Sequence, residues 1–427
     1  MAADADHRPA FIAISASYFF LFFYYAFFAR FSALLYAGYG LDGREIGSLS
    51  LLTILVSIPS SSFWGVVSDR TGRRKLVFAC CVLLAASCQT LFCLTATFQS
   101  HGSRFMYCCF ITILYALSRG NDPGECGQLK GIAMRTLERF GRPAAFGALR
   151  LWGAVSWGVA HPLLGYLLDA EHGHVEILFI GNALAAVLFV ACFSLLLRAS
   201  WADEDASELG VVEARPKASV LGVMKILCAR WDMISWLLCA AAIGMGMQHV
   251  MQFLFLYMKK RFQATDSLMG LSVTLTVVLE VPIYAFSERL VAKLGPTMLI
   301  AIAMGSFVVR VFGYTLVPSA GWMLLLEPLH GVTFSCFTLA SVHYLNEYVP
   351  MHMISTAQGF MSFVNAAGSA VGAILGGWLM DKANGGVILF QADGVIMSIA
   401  LAFFLLSQWK CGRVGAESAA MSLQAAV

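Results

Sequence analysis

Apolar and polar positions in this chain alternate on the scale of whole segments, not of single helix turns or strand residues. Twelve apolar runs stand out, at about 11–37, 46–67, 76–97, 105–125, 144–168, 177–198, 233–257, 268–287, 297–316, 322–345, 357–380 and 387–408. Each approaches the roughly 20 residues that a helix needs to cross a bilayer. Most links between them are short. One link, about 199–230, is long and polar; it contains DEDASELGVVEARPK, whose charge and lack of apolar period predict a flexible segment. The pattern divides the chain into a tail (1–10), a first half of six spans (11–198), a central linker (199–230), a second half of six spans (231–408) and a second tail (409–427).

Composition sharpens this picture. Apolar residues make up 59% and charged residues 12%, with a mean hydropathy of +0.75. A soluble domain carries about 25% charged residues. So little charge cannot cover a water-facing surface, so lipid is the expected solvent and helices the expected spanning elements. A scattered net charge of +3 gives no argument for nucleic acid. The first run lacks a basic flank followed by a short core and a small-residue cleavage site, so it predicts a spanning helix and not a removable signal. Lys and Arg outside the spans concentrate on the side of both termini, which predicts cytoplasmic termini. The twelve cysteines fall in apolar runs or on that same side, which predicts no disulfide framework. Cys80-Cys81 and Cys108-Cys109 are adjacent on helices and point to different faces, a poor geometry for metal. HExxH, paired-Asp and Ser–His arrangements are lacking, so neither an enzyme nor a bound cofactor is expected.

Against that background GVVSDRTGRRK (65–75) concentrates charge between spans 2 and 3. Basic residues there anchor a cytoplasmic turn, yet charge alone does not explain Gly65, Asp69 and Gly72. Gly65 lets another helix approach closely, Asp69 accepts hydrogen bonds in a latch that can break, and Gly72 permits the turn. The pattern G-x-x-x-D-R-x-G-R-R, with Arg70 and Arg73, is similar to the signature loop of the major facilitator superfamily, at the position where that family carries it. SERLVAKLG (287–295) echoes it between spans 8 and 9, as a repeat-built transporter would.

Further stretches narrow the resemblance. FGALRLWGAVSWG (146–158) resembles the R-x-W/F-G segment of the lactose-permease-like branch. VVLEVPIYAFSERL (277–290) and LHGVTF (329–334) resemble the phenylpropionate-permease group and its animal relatives in the major-facilitator-domain-six set. The resemblance implies twelve helices in two pseudo-symmetric six-helix halves, with a solute crossing at a midplane cavity by alternating access, commonly driven by protons. Arg150 stands at the family's substrate-contacting Arg, while the span-4 carboxylate of lactose permease corresponds to Ile132. Asp122 and Glu125 are substitutes nearby. Arg310 and His330 match an Arg of span 9 and a His of span 10; Glu327 replaces a Lys, and Thr333 the proton-carrying Glu.

A charge in mid-span costs about 2.5–3.5 kcal/mol on insertion scales, so it finds a partner or lines water. Glu327 and Arg310 fall at similar depth, with His330 one turn from Glu327 on the same face. His249 and Asp393 lie at comparable levels; Asp393 alternatively caps the first turn of span 12. Glu280 precedes Pro282, which breaks a backbone bond one turn earlier. Arg30 either snorkels to the interface or lines a cavity. Gly368, Gly372 and Gly376 give span 11 a smooth packing face.

The sequence thus predicts an all-α, multi-pass membrane protein, monomeric and bathed in lipid. The resemblance implies that it moves a small organic solute, with protons as the expected coupled ion. Expected solute contacts are Arg150, Arg30, His249 and Asp122; expected coupling groups are Glu280, Glu327, Arg310 and His330. Gly65, Asp69, Arg70, Gly72 and Arg73 are the expected gate. An uncoupled facilitator is the nearest rival, and the short tails speak against a receptor or sensor on the same fold.

Overall fold

The computed structural model describes residues 8–119, 127–140, 146–170, 175–198, 220–350 and 353–424. They form helices and turns, without strands. Ten helical segments are long and apolar enough to cross a membrane. The helices His101–Ser118 and Phe146–Ala170 occupy the positions of predicted spans 4 and 5. Span 5 is less apolar because it carries Arg150, His161, Pro162 and four glycines. The chain is an all-α, multi-pass membrane protein.

Several elements depart from the simple pattern. Span 1 is two helices, Arg8–Ala29 and Ser32–Gly38, with a break at Arg30–Phe31. Span 10 is also broken: Ala320–Met323 ends in turns, and a new helix, Pro328–Tyr348, starts after Glu327. Proline at the first helical position lacks only an N–H that would have no intrahelical partner anyway. A helix Gly127–Arg139 lies between spans 4 and 5, and Val220–Leu227 forms a short helix in the predicted linker. Span 12 continues as Gly385–Gln424, through most of the predicted tail, whose GAESAAMSLQ is rich in good helix formers.

Glycines mark the pseudo-symmetry of the halves. Gly72 ends span 2 (Gly43–Thr71) with φ 64°, and Gly295 sits with φ 71° inside Ser287–Leu316, which follows span 8 (Asp266–Ala285). Both positions favour glycine because a Cβ would be strained there. The predicted smooth face of span 11 (Ile354–Met380) is present: a Cβ on Gly368 would strike the Ala241 carbonyl, and one on Gly372 would meet that of Met245 at 2.8 Å. Both partners lie on span 7 (Trp231–Phe262).

The halves meet through spans 5 and 8 and through spans 2 and 11. At the end remote from the termini, backbone touches backbone. A Cβ on Gly165 would strike the Asp266 carbonyl, and one on Gly377 that of Gly43. Gly270 abuts the His161 carbonyl in the same way, and Gly47 that of Ala373. Nearer the termini, Cβ atoms on Gly65, Gly147 and Gly359 would meet nothing within 4 Å. The bundle is therefore shut at its remote end, and the glycines named nearer the termini face open space.

Two carboxylates fasten the shut end. Asp169, in the last turn of the helix Phe146–Ala170 and just past the apolar run 144–168, accepts the backbone N–H of Asp266 (2.9 Å) and Ser267 (2.8 Å) and the Ser267 hydroxyl (2.5 Å). Asp381, just after span 11, accepts the N–H of Gly43 (2.6 Å) and Arg44 (3.0 Å). Each carboxylate occupies the first turn of a helix in the opposite half, where free N–H groups and the helix dipole favour an anion. The two latches are related by the repeat, since GYLLD (165–169) and GWLMD (377–381) end equivalent spans.

Candidate functional site

The break in span 10 carries the most concentrated chemistry. Arg310 and Glu327 are both fully buried. The Arg310 guanidinium donates to Oε2 of Glu327 at 3.0 Å and to Nδ1 of His330 at 2.7 Å. The Tyr314 hydroxyl donates to Oε1 of Glu327 at 2.5 Å. A guanidinium only donates, so Nδ1 of His330 carries the lone pair and this imidazole is neutral. His330 is half-buried. The sequence expectation that Glu327, Arg310 and His330 meet is realised. Tyr314 is the partner it missed, although its spacing of four from Arg310 places it on the same helical face.

Arg30 approaches from the other half. It is 2% exposed, held in the break of span 1, and donates to the carbonyl of Val250 on span 7 at 2.5 Å. Its guanidinium lies 5.4 Å from the Phe255 ring centroid and within electrostatic reach of Glu327, Arg310 and Tyr314. Of the two sequence alternatives, snorkelling is excluded by this burial.

Nearer the open end, Arg150 on span 5 and Glu280 on span 8 are half-buried and interact electrostatically across the interface. Arg150 lies 4.4 Å above the Phe22 ring. Gly331 brings span 10 against span 8 beside Glu280: a Cβ there would lie 2.5 Å from the Thr276 carbonyl and 2.7 Å from the Glu280 nitrogen. That contact gives a packing reason for the glycine in LHGVTF.

His249 and Asp393 form a separate, fully buried pair. Nδ1 of His249 faces Oδ1 of Asp393 at 2.8 Å, and Nε2 faces the Gly372 carbonyl at 2.7 Å. Both imidazole nitrogens are thereby engaged within the second half, and Asp393 lies inside the helix Gly385–Gln424 and does not cap it. In the turn between spans 2 and 3, Arg70 and Arg73 are exposed, and a Cβ on Gly65 would meet nothing within 4 Å. The side chain of Asp69, and Asp122 and Glu125 entirely, lie outside the described residues. Asp169 and Asp381 were missed because each reads singly as an ordinary span end; the GYLLD/GWLMD repeat was the available signal.

Comparison with known proteins agrees with this architecture. The maltose permease of Geobacillus stearothermophilus is 22% identical over 391 residues, covering 91% of this chain and 92% of that protein. Sugar efflux transporter A of Dickeya chrysanthemi is 22% identical over 366 residues, covering 83% and 84%. The crystal structure of nucleoside transporter NupG superposes with a TM-score of 0.75 at 16% identity, covering 93% of this chain and 98% of that one. Residues 11–392 match the MFS_1 like family. With two helical halves that each carry a corresponding glycine turn and a match over nearly its whole length, this chain belongs to the MFS_1 like family, and is a transporter of the major facilitator type and not an enzyme.

Proposed function

We propose that this transporter carries a small, hydroxyl-rich organic solute by alternating access, in symport with protons. One observation carries the coupling: Glu327, fully buried, shares Arg310 with His330 at a helix break. An ion pair there is tolerable only while Arg310 stays in place; once span 9 shifts, the stranded carboxylate must bind a proton. The relatives named for maltose, sugars and nucleosides support a hydroxylated solute. The bias of Lys and Arg supports cytoplasmic termini. On that orientation the shut end is the outer one, and the structure is the inward-open state.

Solute then lies between Arg150 and the Glu327 network, bounded by spans from both halves. Uptake into liposomes holding the purified protein, screened over sugars and nucleosides with and without an imposed pH gradient, tests the reading. A gradient-dependent accumulation is expected; equal uptake in both conditions would remove the proton. Arg150→Lys keeps the charge and loses the planar fork of donors. Its apparent affinity is expected to fall about tenfold, the loss of one good hydrogen bond to a charged group. Unchanged affinity in a titration of uptake would exclude a bonding role for the fork.

A further inference from the structure

Charge does not balance around Glu327. Arg30 and Arg310 both lie within electrostatic reach of its one carboxylate. Each of its two oxygens already accepts a bond, one from Arg310 and one from Tyr314, and none from Arg30. His330 is neutral by its hydrogen bond and adds no compensating anion. Arg30 is left with an uncharged carbonyl and a ring face, and its Nε has no hydrogen-bond partner among the described residues. A guanidinium remains charged at any working pH, so one buried positive charge lacks an anion.

A second orphan stands beside it. His161 on span 5 is fully buried and within electrostatic reach of Arg30, and Phe31 stacks on it with ring centroids 6.3 Å apart. Its Nδ1 faces the Trp157 carbonyl at 2.9 Å and therefore donates, which makes Nε2 an acceptor. That Nε2 is buried without a partner among the described residues. A donor lacking an anion thus lies within electrostatic reach of an acceptor lacking a hydroxyl. Native interiors leave few polar groups in that condition, and each asks for a ligand or another reason.

We propose that Arg30 and His161 form a charge-recognising pocket for the transported solute, and that this solute is a hydroxylated monoanion of the sugar-acid type. Arg30 takes the carboxylate, and Nε2 of His161 accepts from a hydroxyl. The proposal rests on the transport reading above and deepens it. Arg30 belongs to the first half and Val250 to the second, so their bond lasts only while the remote end is shut. When the halves part there, Arg30 leaves the Val250 carbonyl and meets solute arriving from that side. A neutral sugar satisfies the hydroxyl acceptor and leaves the charge bare.

Liposomes containing the full-length protein are given labelled glucuronate or labelled glucose at equal concentration. Wild type is expected to take up glucuronate at least about tenfold faster, because a site built for a charged group rejects the analogue lacking it. Arg30→Gln is expected to remove that preference, and Arg30→Lys to restore part of it. His161→Gln, which keeps a polar group and the Arg30 charge, is expected to weaken uptake of both solutes. Because the wild-type preference needs no variant, misfolding of Arg30→Gln does not rescue the idea. Glucose entering wild type as fast as glucuronate overturns the anion pocket and leaves the transporter standing. Flux of neither solute also overturns the pocket; the transport reading falls only if the wider sugar and nucleoside screen is negative too.

Discussion

Glu327→Gln will abolish accumulation of solute against its gradient while leaving exchange of labelled for unlabelled solute at equal pH intact. Glutamine keeps the shape of the side chain and the acceptor for Arg310 or Tyr314, but it cannot gain or lose a proton. With one proton per solute, a pH gradient of one unit sustains about a tenfold concentration ratio, or about 1.4 kcal/mol. The variant should fall from that ratio to unity. Exchange needs only the movement of loaded carriers, so it should stay near the wild-type rate. The opposite pattern also has a physical meaning. A static pair fixing spans 9 and 10 would leave Arg310 buried without its carboxylate, at a cost of about 3–5 kcal/mol. Loss of folded protein, with accumulation normal in what remains, would assign Glu327 to structure and leave Glu280 as the coupling carboxylate.

Asp169→Asn combined with Asp381→Asn will shift the protein toward a state open at the remote end. Hydrogen bonds to a charged acceptor contribute about 1.5–3 kcal/mol each net of competition from water, and the neutral amide oxygen that replaces it keeps a weaker bond. Asparagine retains one acceptor and loses the charge that suits a helix N-terminus. A loss of roughly 1 kcal/mol per latch follows, and since about 1.4 kcal/mol is tenfold, the pair shifts the equilibrium roughly 30-fold. Spin labels on the exposed Thr97 of the first half and Ser319 of the second report the separation. Wild type should give mainly the short distance, and the double variant mainly a longer one. Identical distance distributions would show that the glycine contacts alone hold this end. Burial pushes the Asp169 carboxyl up, but the bonds from Ser267 and Asp266 outweigh it and hold it below the usual carboxylate range. Its contribution to the shut end is therefore present above the ordinary carboxylate range and lost only as pH falls through the lowered value. The Asp169 latch therefore stays charged near neutrality.

Long apolar runs made the spans legible, because hydrocarbon thickness sets a length that twelve segments of the chain repeat. Interruptions were harder to read. Leu326, Glu327 and Pro328 sit inside an otherwise apolar stretch, and hydropathy averages over a proline that starts a new helix. The meeting of Arg310, Glu327 and His330 was readable from helical depth, since all three lie on adjacent parts of consecutive spans. The contact of Arg30 with Val250 was not, because spacing along one chain cannot tell which helix of the other half lies opposite. The same limit hid Asp169 and Asp381: apart from the Ser267 hydroxyl, the donors bonded to them are backbone N–H groups, which no residue type advertises.

The coupling proposed for Glu327 requires solute and protons to move together through that site. The most direct measurement is of proton entry itself, with a pH-sensitive dye inside liposomes holding wild type or Glu327→Gln, after addition of a transported solute with no gradient imposed. Wild type is predicted to acidify the lumen in proportion to solute entry, and the variant to carry no protons. Solute entering through wild type without any change in luminal pH would contradict the account.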